Sequence, residues 1–123
     1  MLSVHRDVEA PPDVVWRLLV DLDVWPRWGP SVRRAELTNG PELRLGSRGR
    51  VWTPVGLPLP FEVTAFEPGR HWAWSVAGVP ATHHGVEPRG DGTRLSMSAP
   101  TWAPAYLPVL ATALRRIDRI ATT

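Results

Sequence analysis

Side chains that can move a proton or hold an oxyanion are few in this chain: it has 4 His, 1 Tyr and 14 basic residues, every one of them Arg. His84, set among apolar residues, is the candidate general acid or base. Tyr106 and Arg50 are candidates for stabilising an enolate, the phenol through one hydrogen bond and the guanidinium through two. Each has a plainer reading. His84 can be a core histidine satisfied by a neighbour or a water, Tyr106 a surface tyrosine, and Arg50 a solvated cation. His83 and His84 are adjacent, and neighbouring strand residues point to opposite faces, so the two cannot chelate one ion. His71 and His83 would meet on the outer face only if the hairpin register slips. Without Cys there is no thiolate chemistry and no disulfide. No Ser/His/Asp arrangement stands out, and no Gly-rich loop leads from a strand into a helix. No metal, nucleotide or other cofactor is therefore expected.

Composition narrows the classes further. A pI of about 10.4 on a formal charge of +2 looks like a nucleic-acid signature. It arises because the chain has no Lys, no Cys and one Tyr, so almost nothing titrates between the His and Arg ranges. Arg115, Arg116 and Arg119 read as a solvated helix face paired with Asp118, and no wider basic patch or nucleic-acid motif supports nucleic-acid binding. No apolar run is long enough to span a membrane, and residues 1–10 carry no signal-peptide hydrophobic region, so a cytoplasmic monomer or homodimer is expected. At 123 residues and 43% hydrophobic, residues 1–123 read as a single domain.

The elements that must position these residues follow from periodicity and turn chemistry. Leu2 to Glu9 alternates as a half-buried strand. Pro11-Pro12-Asp13 starts a helix that Asp13 can cap and that runs to about Asp21, followed by a short helical turn from Val24 to Gly29. From Ser31 the chain reads as five or six strands of an antiparallel meander, separated by Asn39-Gly40-Pro41, the Pro54 to Pro60 loop, Pro68-Gly69, Gly78 to Pro80 and Arg89 to Gly92. A final helix begins near Ala105 with Pro108 in its first turn. Leu107, Leu110, Leu114, Ile117 and Ala121 make its apolar stripe. The layout is α+β, one helix covering a curved sheet.

Turn positions give a register. Centring one hairpin on Val79 sets Trp74 opposite His84 and Trp72 opposite Val86; the next hairpin sets Met97 opposite His84 and Leu95 opposite Val86. A Pro68-Gly69 turn sets Val63 opposite Trp74 and Ala65 opposite Trp72. The inner row then reads Val63, Trp74, His84, Met97, with Trp72 and Val86 beside it, facing Leu110 and Leu114 of the last helix. The strand at Val51 allows two registers, one with Arg50 and Trp52 inward, the other with Val51 and Thr53. Trp16, Trp25, Trp28 and Trp102 read as packing around the small helices and the sheet edge. An exposed Trp25 or Trp102 in an apolar patch would instead make a partner-binding surface.

The ordered set Val8-Glu9-Ala10-Pro11-Pro12-Asp13-Val14-Val15-Trp16, Asp21 to Trp28 with Pro30, Gly46-Ser47-Arg48-Gly49-Arg50, Phe61-Glu62-Val63-Thr64, Glu67-Pro68-Gly69-Arg70 and Val86-Glu87-Pro88 with Gly92-Thr93 resembles the START-like (SRPBCC) superfamily. The branch it is most similar to is the polyketide cyclase/dehydrase group. The resemblance runs from Ser3 to Ala121. It implies a helix-grip fold: a curved seven-stranded antiparallel sheet around a long C-terminal helix, two small helices after the first strand, and a pocket for an apolar ligand.

The function expected on these grounds is binding of a hydrophobic or aromatic small molecule, polyketide- or lipid-like, between sheet and helix. Trp72, Trp74, Val63, Met97, Val86, Leu110 and Leu114 would line its site. The alternative is a polyketide cyclase or dehydratase in which His84 moves the proton and Tyr106 or Arg50 stabilises the enolate.

Overall fold

The alternating apolar pattern from Leu2 forms β1 (Leu2–Val8), and the change of period after Ala10 starts α1 (Pro12–Val20), followed by α2 (Trp25–Trp28). Then come β2 (Arg34–Leu37), β3 (Arg48–Trp52), β4 (Pro58–Glu67), β5 (His71–Val76), β6 (Val79–Arg89) and β7 (Gly92–Ala99). A 3-10 turn at Pro104–Tyr106 leads into α3 (Leu107–Ala121). This computed structural model describes residues 1–123. All seven strands form one antiparallel sheet in the order β1-β7-β6-β5-β4-β3-β2. The concave face takes α3, which packs on β1 and β7, and α1, which packs on β6 and β7. The architecture is the α+β helix grip expected.

Caps and helix ends follow local chemistry. Pro11 occupies the N-cap of α1, so Asp13 lies in the first turn, where it pairs with Arg17 at 3.0 Å instead of capping. Pro108 sits in the first turn of α3, where no intrahelical N–H bond is lost. Leu110, Ala113, Leu114 and Ile117 form the buried stripe of α3. Asp118 pairs with Arg6 of β1 at 2.6 Å, tying the helix to the edge strand rather than answering the arginines beside it.

The β6–β7 pairing is the expected one, with His84 opposite Met97, Val86 opposite Leu95 and Glu87 opposite Arg94. The β5–β6 hairpin departs from expectation. Its turn is the pair Ala77-Gly78, both at positive φ (52° and 77°), with Val76 opposite Val79. Two residues at positive φ match the twist of the flanking strands, which a turn centred on Val79 would not. A bulge then sets Trp74 against Ala81 and Thr82 together, and Trp72, not Trp74, lies opposite His84. Beyond the bulge the net shift is even, so His83 to Glu87 keep their expected faces. A second bulge at Thr64 leaves Val63 opposite Trp74 but puts Phe66, not Ala65, opposite Trp72.

β3 adopts the register with Val51 inward, 5% exposed, and Arg50 outward and exposed. The reason lies at Gly49, on the same face as Val51. A Cβ there would stand 2.0 Å from the Glu36 carbonyl oxygen and 2.7 Å from the Phe61 ring. Only glycine lets β2 and the Phe61 ring close over this position, and that parity turns Arg50 out. Gly49→Ala is therefore expected to destabilise the fold by about 3 kcal/mol, at the upper end of overpacking costs, read as a lower midpoint in urea unfolding followed by circular dichroism.

Candidate functional site

Indole rings fill the interior beneath the small helices. Trp72 of β5 is sandwiched between Trp25 of α2, stacked at 5.2 Å and 10°, and His84 of β6, stacked at 4.0 Å and 25°. Trp25 and Trp72 both donate their Nε1–H to the Leu19 carbonyl, at 2.9 and 3.2 Å, and Trp28 donates to Leu18 O at 2.8 Å. These carbonyls belong to the last turn of α1 and have no helical partner, so the indoles cap the helix while filling the core. The column fastens α1 and α2 to the sheet.

His84 completes a closed chain of hydrogen bonds. Trp74 Nε1–H donates to Thr82 Oγ1 at 2.9 Å, which leaves the Thr82 hydroxyl proton for His84 Nε2, also at 2.9 Å. Nδ1 then carries the ring proton and donates to the Trp72 carbonyl at 3.3 Å. Burial, opposed by the bond to Trp72 and reinforced by His83, lowers the imidazole to about 3. His84 is thus a buried, neutral imidazole with both nitrogens occupied.

A hollow of about 810 Å³ at the end of α1, between Trp16, Phe66 and the β2–β3 loop, carries Asp21, Asp23, Glu36, Glu42 and Arg44 in its wall; the apolar spaces lie on the other side of this column. Beside His84 the interior keeps a void of about 30 Å³, touched by Trp72, Met97 and Leu110. A groove of about 410 Å³ opens at the end of the sheet where β3, β4 and the β5–β6 hairpin meet the segments Ser31–Val32 and Ala99–Tyr106. Trp74, Thr82, Ser31, Val32 and Tyr106 border both spaces. The Ser31 and Tyr106 hydroxyls, 2.6 Å apart, close the wall between void and groove. The groove is lined by Val51, Leu59, Val76, Val79 and Trp102 among others, and by no charged side chain.

Of the residues expected to line a ligand site, Trp74 alone faces the groove. Trp72, Met97 and Leu110 reach the small void, while Val63, Val86 and Leu114 border neither space and are packed core. Of the three candidate catalytic groups, Tyr106 stands in the groove wall and His84 lies behind Thr82. Arg50 is on the outer face, away from both. Ser31, Thr82 and Trp102 escaped the sequence reading as site residues. Thr82 was legible in part, being two residues from His84 on one strand and so on the same face. Trp102, expected to pack, is 68% exposed at the groove rim.

The shifted β5–β6 register also has an effect outside. It brings His71 and His83 into a stack at 4.9 Å, with the Glu67 carboxylate 3.1 Å from His71 Nε2. No group of three or more metal-ligating side chains converges anywhere in the chain. Burial and the neighbouring His71 lower the His83 imidazole below its ordinary value.

A helix-grip sheet with a groove at one end of its long helix defines the class of protein. In sequence the chain belongs to the family of polyketide cyclases/dehydrases and lipid transport proteins, matched over residues 1–120. No protein of curated function matches it. Among solved structures it is similar to a Mesorhizobium loti protein, with a TM-score of 0.75 and 18% identity over 96% of this chain and 93% of that one. A Chromobacterium violaceum protein gives 0.69 and 19% over 99% and 96%. DynU16, a protein of the dynemicin biosynthetic locus, gives 0.70 and 22%; this chain is covered to 99% but spans 47% of that chain. At these identities the likeness is one of fold.

The buried imidazoles predict acid sensitivity. A histidine whose folded pKa lies below its unfolded value near 6.5 binds its proton in the unfolded state first, so stability falls as pH drops below about 6.5. For His84 the loss continues to about pH 3, with a slope of about 1.4 kcal/mol per pH unit. Urea unfolding at pH 7, 6, 5 and 4 should show this slope, and His84→Gln should reduce it by about one proton while lowering stability at pH 7.

Proposed function

We propose that this protein binds a neutral, largely apolar small molecule, polyketide- or lipid-like, in the groove bounded by Trp74, Tyr106 and Trp102. The observation that carries this reading is a lining of about 410 Å³ with no charged side chain. Desolvating an unpaired carboxylate or phosphate against such a wall costs several kcal/mol, whereas aromatic and aliphatic surface gains from burial. One polar handle is offered. Two hydroxyls that share one hydrogen bond leave one O–H free, so the Ser31–Tyr106 pair can donate to a single carbonyl or phenol oxygen on the ligand. The family's range, which includes lipid transport, accords with this reading.

Cyclisation or dehydration of a polyketide-like substrate is the second reading. The family and the biosynthetic setting of DynU16 favour it, and so does the Tyr106 hydroxyl in the groove wall. In that case Tyr106 donates to the substrate carbonyl as the α-proton passes to solvent water and enolate character develops. His84 is a poor base for it, since both ring nitrogens are engaged.

A matched pair of dyes separates neutral from charged occupants. N-phenyl-1-naphthylamine and its sulfonated analogue 8-anilinonaphthalene-1-sulfonate share one aromatic core. The neutral dye is expected to bind at least about tenfold tighter by fluorescence titration, the sulfonate having no partner in the groove. Equal or tighter binding of the sulfonate would count against the proposal. Tyr106→Phe should leave dye affinity within about threefold but weaken an aromatic ketone of similar size by about fivefold, the worth of one hydrogen bond. Turnover of a poly-β-ketone that Tyr106→Phe abolishes would favour the second reading.

A further inference from the structure

The two ends of the sheet differ in character. At one end the turns carry Glu9, Glu67, Arg70, Arg89 and Asp91, with Arg89 paired to Asp7 at 3.1 Å and Arg70 to Glu67 at 3.6 Å. At the other end, around the groove mouth, stand Val55 (86% exposed), Trp102 (68%), Leu57 (56%) and Val79 (46%). These are four of the six large apolar side chains the protein exposes; Met1 stands beside the same end, ahead of Leu2 opposite Ala99, and only Leu45 lies elsewhere. They come from three separate segments: the β3–β4 loop, the β5–β6 turn and the chain between β7 and α3.

The segments that build this end carry charge of one sign. Residues 28–35, 51–61, 74–82 and 97–108, which build it, contain no Asp or Glu and two Arg, Arg33 and Arg34. Arg34 lies 4.6 Å over the Trp52 ring and pairs with Glu36, while Arg33 forms no ion pair and places its guanidinium beside Gly56 in the same loop as Val55 and Leu57. Apolar tips on separated loops, an exposed Trp and Arg33 beside them without an ion-pair partner match the interface of an anionic bilayer: the side chains enter the headgroup region while the guanidinium meets lipid phosphate.

We infer that the groove end is a docking surface for an anionic lipid bilayer, with Val55, Leu57, Val79 and Trp102 entering the interface and Arg33 facing the headgroups. Docked this way, the groove opens onto the apolar phase, and an apolar molecule passes between bilayer and protein without crossing water. The docking itself does not depend on the groove being occupied.

Vesicles of pure phosphatidylcholine and vesicles containing 30% phosphatidylglycerol provide the test, by co-sedimentation with the full chain at low salt. The expected result is binding to the anionic vesicles with little to the neutral ones, reduced by about tenfold in Val55→Glu/Leu57→Glu and reduced in Arg33→Glu. Trp emission should shift to the blue on docking, and Trp102→Phe should remove most of that shift. Val55 and Leu57 do not line the groove. Binding of N-phenyl-1-naphthylamine in buffer should therefore survive in the double variant, which shows that it folds and separates failure of docking from failure of the ligand reading. Absence of binding, binding indifferent to lipid charge, or binding that Val55→Glu/Leu57→Glu leaves intact would overturn the proposal. So would a concentration-dependent dimer that the double variant dissolves, which would assign this face to a second copy.

Discussion

The stack of Trp25, Trp72 and His84 is the interaction on which the rest of the structure depends. Its rings join α2, β5 and β6, and its indole N–H groups satisfy the carbonyls at the end of α1. Burying aromatic surface of this size is worth several kcal/mol, and the N–H donors find partners that would otherwise be orphaned, so packing and hydrogen bonding act in one direction. The His84 ring closes the column at its far side, and its neutrality follows from that position: a charge on it would be desolvated against an indole face.

The column also decides where space is left. Helix-grip sheets can enclose a cavity between sheet and long helix, but here indoles occupy that interior and leave about 30 Å³. The apolar groove begins where the column stops, beyond Trp74, Thr82 and the Ser31–Tyr106 pair. There the turns are short, proline-rich and apolar, and the same residues that form the groove rim are exposed to the surroundings. The groove and its exposed apolar rim are thus built by the same short segments.

Much of this was legible in the sequence. The element order, the curved sheet over α3 and the inward placement of His84 follow from periodicity, because facing depends on parity alone. Parity survived even where the β5–β6 register moved, since the Ala77-Gly78 turn and the bulge at Trp74 shift pairing by an even number. The identity of cross-strand neighbours was less legible, because a bulge leaves little trace in a pattern of apolar residues. Gly49 is the signal that could have settled Arg50: a glycine on the inward parity of a strand marks close backbone approach and fixes which neighbours point out. The position of the groove was not legible, because it depends on how indole volumes from distant segments add up under α1 and α2.

The seven Trp indole N–H protons are natural reporters of this geometry. Two-dimensional NMR of the nitrogen-labelled protein, titrated with N-phenyl-1-naphthylamine, distinguishes binding in the groove from binding in the column. Shifts are expected at the indoles of Trp74 and Trp102, at the groove, while those of Trp25 and Trp72 stay fixed. Shifts concentrated at Trp25 and Trp72, or saturating dye that moves no indole resonance, would contradict binding in the groove.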